Sequence, residues 1–130
     1  MIKISKLADY ATVIMQNLAT KHVPTNSVLL SQELSLSRPI VAKLLKKLSQ
    51  ASFLSSKQGQ KGGYILCKEL KNITLLDIVE AIDGSIALTE CVKDSSSCAL
   101  QAKCSTKKHW LIINTTISNS LKSIKLNQLI

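Results

Sequence analysis

With 130 residues, 45% of them apolar, the chain has material for one packed domain plus an extension and is too apolar to remain disordered. Aromatics supply only 3% of it, so the core must be built from Leu, Ile, Val and Ala, which suits helices better than a β-sandwich. Lys and Arg outnumber Asp and Glu by 17 to 8, which favours a polyanionic partner over a basic one.

No run approaches the roughly 18 apolar residues of a membrane span. The opening Met1–Lys6 lacks the apolar stretch of a secretory signal, so a cytoplasmic protein is expected. The charge is unevenly spread. Residues 1–68 carry ten basic groups against two acids, whereas residues 69–130 carry seven against six. A basic first half joined to a nearly neutral second half reads as a polyanion-binding module attached to something else.

In chain order, residues 3–20 predict a helix, with Leu7, Ala11, Ile14, Met15 and Leu18 on one face. Pro24 breaks it, and Ser27 is placed to cap a short second helix over Val28–Leu34. Ser35-Leu36-Ser37 forms a turn. Ser37 then caps a third helix running to about Ala51, with Pro39 in its first turn where a missing N–H costs nothing. Ile40, Val41, Leu44, Leu45 and Leu48 gather on one side, and Arg38, Lys43, Lys46 and Lys47 occupy the rest. Two helices joined by a tight turn, the second basic outside, make a helix-turn-helix.

Phe53–Ser56 and Tyr64–Cys67 read as short strands, joined by a glycine-rich tip that carries Lys57, Gln58 and Lys61. A basic hairpin after a basic helix is the layout of a winged helix-turn-helix. The third helix would enter the major groove and the wing would reach phosphates or the minor groove. The tip has no G-x-x-x-x-G-K-S/T pattern, so a nucleotide site is rejected. Thr74 caps a fourth helix ended by Gly84. Periodicity then lapses over residues 85–104.

From about Ser105 a long helix presents Trp110, Ile113, Ile117, Leu121 and Ile124 as an apolar stripe. A protruding apolar rod is marginal alone, and pairing it with the same helix of a second copy gives a two-fold homodimer. The expected organisation is therefore mainly α. A winged helix-turn-helix DNA-binding domain fills residues 1–83, a cysteine-bearing loop 84–104, and a dimerisation helix and tail 105–130.

Of the four cysteines, Cys67 at the end of the second strand is expected to be a buried small apolar residue. Cys91, Cys98 and Cys104 share one loop, spaced C-x6-C-x5-C across polar, turn-forming residues. A reducing compartment and the odd number disfavour a disulfide. Structural zinc would normally show paired C-x2-C spacing and a fourth strong ligand. An iron–sulfur cluster tolerates irregular spacing between thiolates. The spacing favours the cluster and leaves zinc and unliganded redox-active thiols open. Without C-x-x-C or a base partnered to a thiol, an oxidoreductase or other enzyme acting on a small-molecule substrate is not expected.

Ile4–Ala11, the wing Gly59–Tyr64, and the Cys91/Cys98/Cys104 triplet followed by Trp110 together resemble the IscR/NsrR (Rrf-two) family of transcription regulators. The resemblance spans essentially the whole chain. Leu7–Ala11 and Ala87–Cys91 are most similar to the branch controlling SUF-type iron–sulfur assembly operons. It implies a dimeric repressor whose three loop cysteines bind a two-iron or four-iron cluster, occupancy of which alters affinity for operator DNA. A cluster-independent thiol-redox or nitric-oxide-responsive repressor is the alternative. Two positions depart from the pattern. Lys107 stands where the IscR branch has a histidine, so the resemblance implies Asp9, reached from the partner subunit, ahead of His109 or an exogenous group as fourth ligand. Gln58 stands where relatives place a wing arginine, which leaves phosphate contact to Lys57 and Lys61.

Overall fold

A computed structural model describes residues 2–94, 99–100 and 103–130. Helix α1, Lys6–Ala19, starts later than the apolar spacing alone predicts because Ser5 caps it, its hydroxyl accepting the Ala8 amide at 3.0 Å. Its buried face is Ala8, Ala11, Ile14, Met15 and Leu18. Helix α2, Ser27–Leu34, is capped by Asn26 rather than Ser27. The Asn26 carboxamide oxygen accepts the Leu29 amide at 2.8 Å, which makes Ser27 the first helical residue. Ser35, at φ 54°, stops α2 in the left-handed region and turns the chain into α3, Arg38–Gln50. Ser37 holds the cap position of α3 without a side-chain capping bond, and Pro39 lies in the first turn. Val41, Leu44, Leu45 and Leu48 are fully buried, as their spacing predicts.

Strands β1, Leu54–Lys57, and β2, Gly63–Leu66, pair antiparallel with Leu54 opposite Leu66 and Lys57 opposite Gly63. Both are displaced by one residue from the predicted strands. Cys67 therefore falls outside β2 and, contrary to expectation, is exposed, its Sγ 3.4 Å from the Ser52 carbonyl. The segment after α1 also does more than break a helix. Thr25 exchanges both backbone hydrogen bonds with Tyr64, at 3.0 and 2.8 Å, adding a one-residue bridge to the wing's base. Only glycine fits at 63, where φ is +144° and a Cβ would lie 2.4 Å from the Thr25 carbonyl carbon.

Helix α4, Leu75–Asp83, opens with a reciprocal capping box between Thr74 and Asp77 and closes at Gly84, φ +82°. It packs against α1 and α3. Within the stretch expected to be aperiodic, Glu90–Lys93 forms one short helix, α5. Helix α6, Lys107–Ser123, is 17 residues long, about 25 Å at 1.5 Å per residue. It lies against α4 and α5. After it the chain turns back to the N-terminal core. Leu126 is fully buried there, its amide donating to the Ile73 carbonyl at 2.8 Å. The Ile124 carbonyl accepts the Leu75 amide at 2.9 Å, and Gln16 Nε2 donates to the Leu129 carbonyl at 2.8 Å.

Candidate functional site

The buried face of α3 fixes where its polar residues point. With Val41, Leu44, Leu45 and Leu48 inward, Ser37, Arg38, Pro39, Lys43 and Lys46 are all exposed. Lys47 differs from its neighbours. It is half-buried, and its Nζ donates to the Ile82 carbonyl in the last turn of α4 at 3.0 Å. A cation there also complements the negative end of that helix. Lys57, Gln58 and Lys61 are exposed on the wing. The ion pairs Lys21–Glu33 and Lys71–Glu69 use none of these lysines. Basic charge on α3 and on the wing is thus presented without an acidic partner in either pair.

Two of the three loop cysteines fall within the described residues. Cys91, in α5, is half-buried with its Sγ 3.0 Å from Thr89 Oγ1. Cys104, just ahead of α6, is half-buried with its Sγ 3.3 Å from Thr106 Oγ1. The Thr106 hydroxyl holds the Cys104 thiol below its ordinary range, helped by the backbone amides of Thr106 and Lys107 and by the Lys107 charge. Cys98 lies outside the described residues. Among those described, no three metal-ligating side chains converge. The donors themselves suit an iron–sulfur cluster: sulfur ligands, partly withdrawn from water, each beside a hydroxyl, and one already biased toward thiolate. Asp9 is exposed in the first turn of α1, beside a groove of about 500 Å³ also lined by Lys3, Lys6 and Gln16. His109 is exposed on the first turn of α6.

The apolar stripe of α6 is divided. Trp110 and Ile113 remain 39% and 40% exposed. Ile117 and Leu121 are half-buried and, with Trp110, line a groove of about 470 Å³ whose other wall includes Ile2, Ile4 and Val79. Ile124 lies beyond the helix as its C-cap, because its carbonyl is engaged by Leu75. Leu111 and Ile112, outside the predicted stripe, are 42% and 63% exposed. Sequence reasoning also passed over Asn114. Its Nδ2 donates to the Ile86 carbonyl at 3.0 Å, and its Oδ1 accepts the Leu88 amide at 2.9 Å. The available signal was a carboxamide set between Ile113 and Ile117.

A basic, exposed helix following a tight helical turn, with a basic two-stranded wing behind it, defines a winged helix-turn-helix transcription regulator. The chain belongs to the Rrf2 family, whose model, described as an iron-dependent transcriptional regulator, matches residues 4–130. It is similar to the HTH-type transcriptional regulator CymR of Bacillus subtilis, 30% identical over 98% of this chain and 89% of that protein. The solved CymR structure, described as that of the global cysteine regulator of B. subtilis, superposes with a TM-score of 0.79 over 99% of this chain and 96% of its own. The HTH-type transcriptional regulator IscR of Klebsiella pneumoniae is 27% identical over 99% of this chain and 80% of that protein. The T. potens IscR structure, 26% identical, gives a TM-score of 0.75 over 98% of this chain and 85% of that one. These relatives are transcription regulators, not enzymes. No helix among the described residues is long and apolar enough to cross a membrane.

Proposed function

We propose that this regulator binds operator DNA as a homodimer and that an iron–sulfur cluster on Cys91, Cys98 and Cys104 sets its affinity, repressing SUF-type assembly genes in the cytoplasm. The observation that carries this is that two half-buried thiols belong to one unit, Cys91 on the short helix packed against α6 and Cys104 just ahead of α6, which itself packs on α4. A bound cluster would supply a centre that is gained or lost with iron supply and oxidant. The remaining work belongs to the chain. Thr89 and Thr106 orient the thiols of Cys91 and Cys104, and Asp9 of the other copy supplies the fourth ligand. Arg38, Lys43 and Lys46 meet the duplex, while Lys57 and Lys61 hold phosphates. Trp110 and Ile113 form the interface nearest the cysteines.

Reading two half-sites requires a fixed separation of recognition helices, so a modest displacement between copies changes affinity. Coupling of about 1–3 kcal/mol, a 5- to 150-fold change, is typical of such control. The test is protein purified without oxygen, assayed for iron, sulfide and visible absorption. Duplexes selected from a random pool are then titrated with loaded and apo protein. Brown protein with unequal affinities is expected. Failure to take up iron, or equal affinities, overturns the reading.

A second reading is favoured by the similarity to CymR and by the lowered Cys104 thiol: a repressor answering to thiol oxidation or nitric oxide without a cluster. Colourless, zinc-free protein whose DNA affinity changes on thiol oxidation would establish it.

A further inference from the structure

All three loop cysteines lie between Leu88 and Asn114. Those two residues are joined, 26 positions apart, by the bond from the Leu88 amide to Asn114 Oδ1. The second bond, Asn114 Nδ2 to the Ile86 carbonyl, engages the same segment two residues before Leu88. One carboxamide thus satisfies a backbone donor and a backbone acceptor together, as a neighbouring strand would. Among the side-chain bonds of α6, those of Thr116, Ser120 and Ser123 return to carbonyls of the helix itself. Asn114 reaches out of the helix instead.

The anchored segment is short and firmly placed at its other end. Gly84 ends α4 immediately before it, and Asp83 accepts a hydrogen bond from the Ser5 hydroxyl at 2.7 Å. Cys91 follows Leu88 by three residues. Without Asn114, the polypeptide from Gly84 to Cys91 could leave the side of α6 while Cys104 stayed at that helix's start.

We propose that Asn114 is a positioning residue that ties the segment leading into Cys91 to the flank of α6, the helix that begins just after Cys104. This rests on the cluster-binding reading above. Bringing donors together beforehand removes part of the ordering cost of binding, so loss of this tie lowers cluster retention without touching a ligand. Supporting residues outside the ligand set typically change metal affinity by 10- to 100-fold.

The experiment compares the full chain with Asn114→Ala and Asn114→Asp. In the apo proteins, hydrogen exchange at the Leu88 amide is expected to accelerate about tenfold or more in Asn114→Ala. It should stay close to the unmutated rate in Asn114→Asp, which keeps the acceptor and loses only the donor. After reconstitution without oxygen, the cluster's half-life against a chelator is expected to fall about tenfold in Asn114→Ala, with Asn114→Asp between the two. A general structural role would lower thermal stability in both variants and would not separate Leu88 protection from cluster lifetime. Unchanged Leu88 exchange in Asn114→Ala overturns the proposal, as does faster exchange with an unchanged cluster half-life. If the unmutated chain takes up no iron, the cluster reading fails by itself. The tie is then judged in the apo chain by Leu88 exchange and by the rate at which diamide couples the loop thiols, which the Ala variant should slow.

Discussion

Replacing Leu126 by alanine tests whether the chain's end belongs to the DNA-reading core. Leu126 lies after α6, yet it is fully buried and its amide bonds to Ile73. Removing a buried leucine's outer carbons costs about 2–3 kcal/mol in transfer terms, and the cavity left behind brings the loss to roughly 3–4 kcal/mol. That is a large fraction of the roughly 5–15 kcal/mol that holds such a domain together. At about 2.1 cal/mol/K per residue, the unfolding entropy of this chain is on the order of 270 cal/mol/K, so Tm should fall by roughly 10–15 °C. Urea denaturation followed by circular dichroism measures the loss directly, and calorimetry at matched protein concentration checks it. The midpoint should move at constant m. A loss under about 1 kcal/mol would mean that Leu126 is solvated in solution and that the tail does not close the core.

Lys46 and Lys61 should behave differently from Lys47. Alanine at 46 or 61 is expected to weaken DNA binding and reduce the slope of log K against log salt by about 1, measured by fluorescence anisotropy; an unchanged slope removes the phosphate contact. Lys47→Met should cost about 1 kcal/mol of stability by losing the bond to Ile82 and should leave that slope intact. Gly63→Ala is expected to destabilise by about 1–3 kcal/mol and to weaken DNA binding, since its Cβ meets the Thr25 backbone; a fully stable variant with unaltered binding contradicts the wing-base contact. The Glu33 carboxyl is held below its ordinary value of 4.5, first by the hydrogen bond from Lys21. Its contribution to stability is therefore complete above that value and lost as pH falls through the lower folded one. Glu33→Gln should flatten the acid side of a plot of urea midpoint against pH, and an unaltered plot would exclude the pair.

The helices of the reader were legible because Leu, Ile and Val recur at helical spacing and their partners are one another. Val41, Leu44, Leu45 and Leu48 all went where periodicity placed them. Contacts between distant segments left no periodic trace. A single bridge residue, Thr25, looks like any threonine after a proline, and seven residues of tail are too few to show a face. Lys47 shares its helix and its charge with Lys46, and only the distal partner on α4 separates their roles. The α6 pattern identified an apolar side but not what covers it, so Ile117 and Leu121 turned out to face the chain's own core region. Cys67 shows how small an error reverses a conclusion: β2 ends at Leu66, one residue earlier than predicted, and Cys67 lies exposed just beyond it. At the candidate site, cysteine spacing singled out the thiols on which the proposal rests, while Asn114 offered only a lone carboxamide in an apolar stretch.

The amine of Lys47 spans from α3 to the peptide at residue 82, two positions ahead of Gly84. Reader and cysteine-bearing segment are consequently neighbours in mechanics as well as in sequence. A tug on residues 85–88 would arrive at the foot of α4, one hydrogen bond from the helix proposed to enter the major groove. Under the function proposed above, no long relay of packed side chains would be needed for grip on a promoter to answer to the loop, because lever and handle share a single screw.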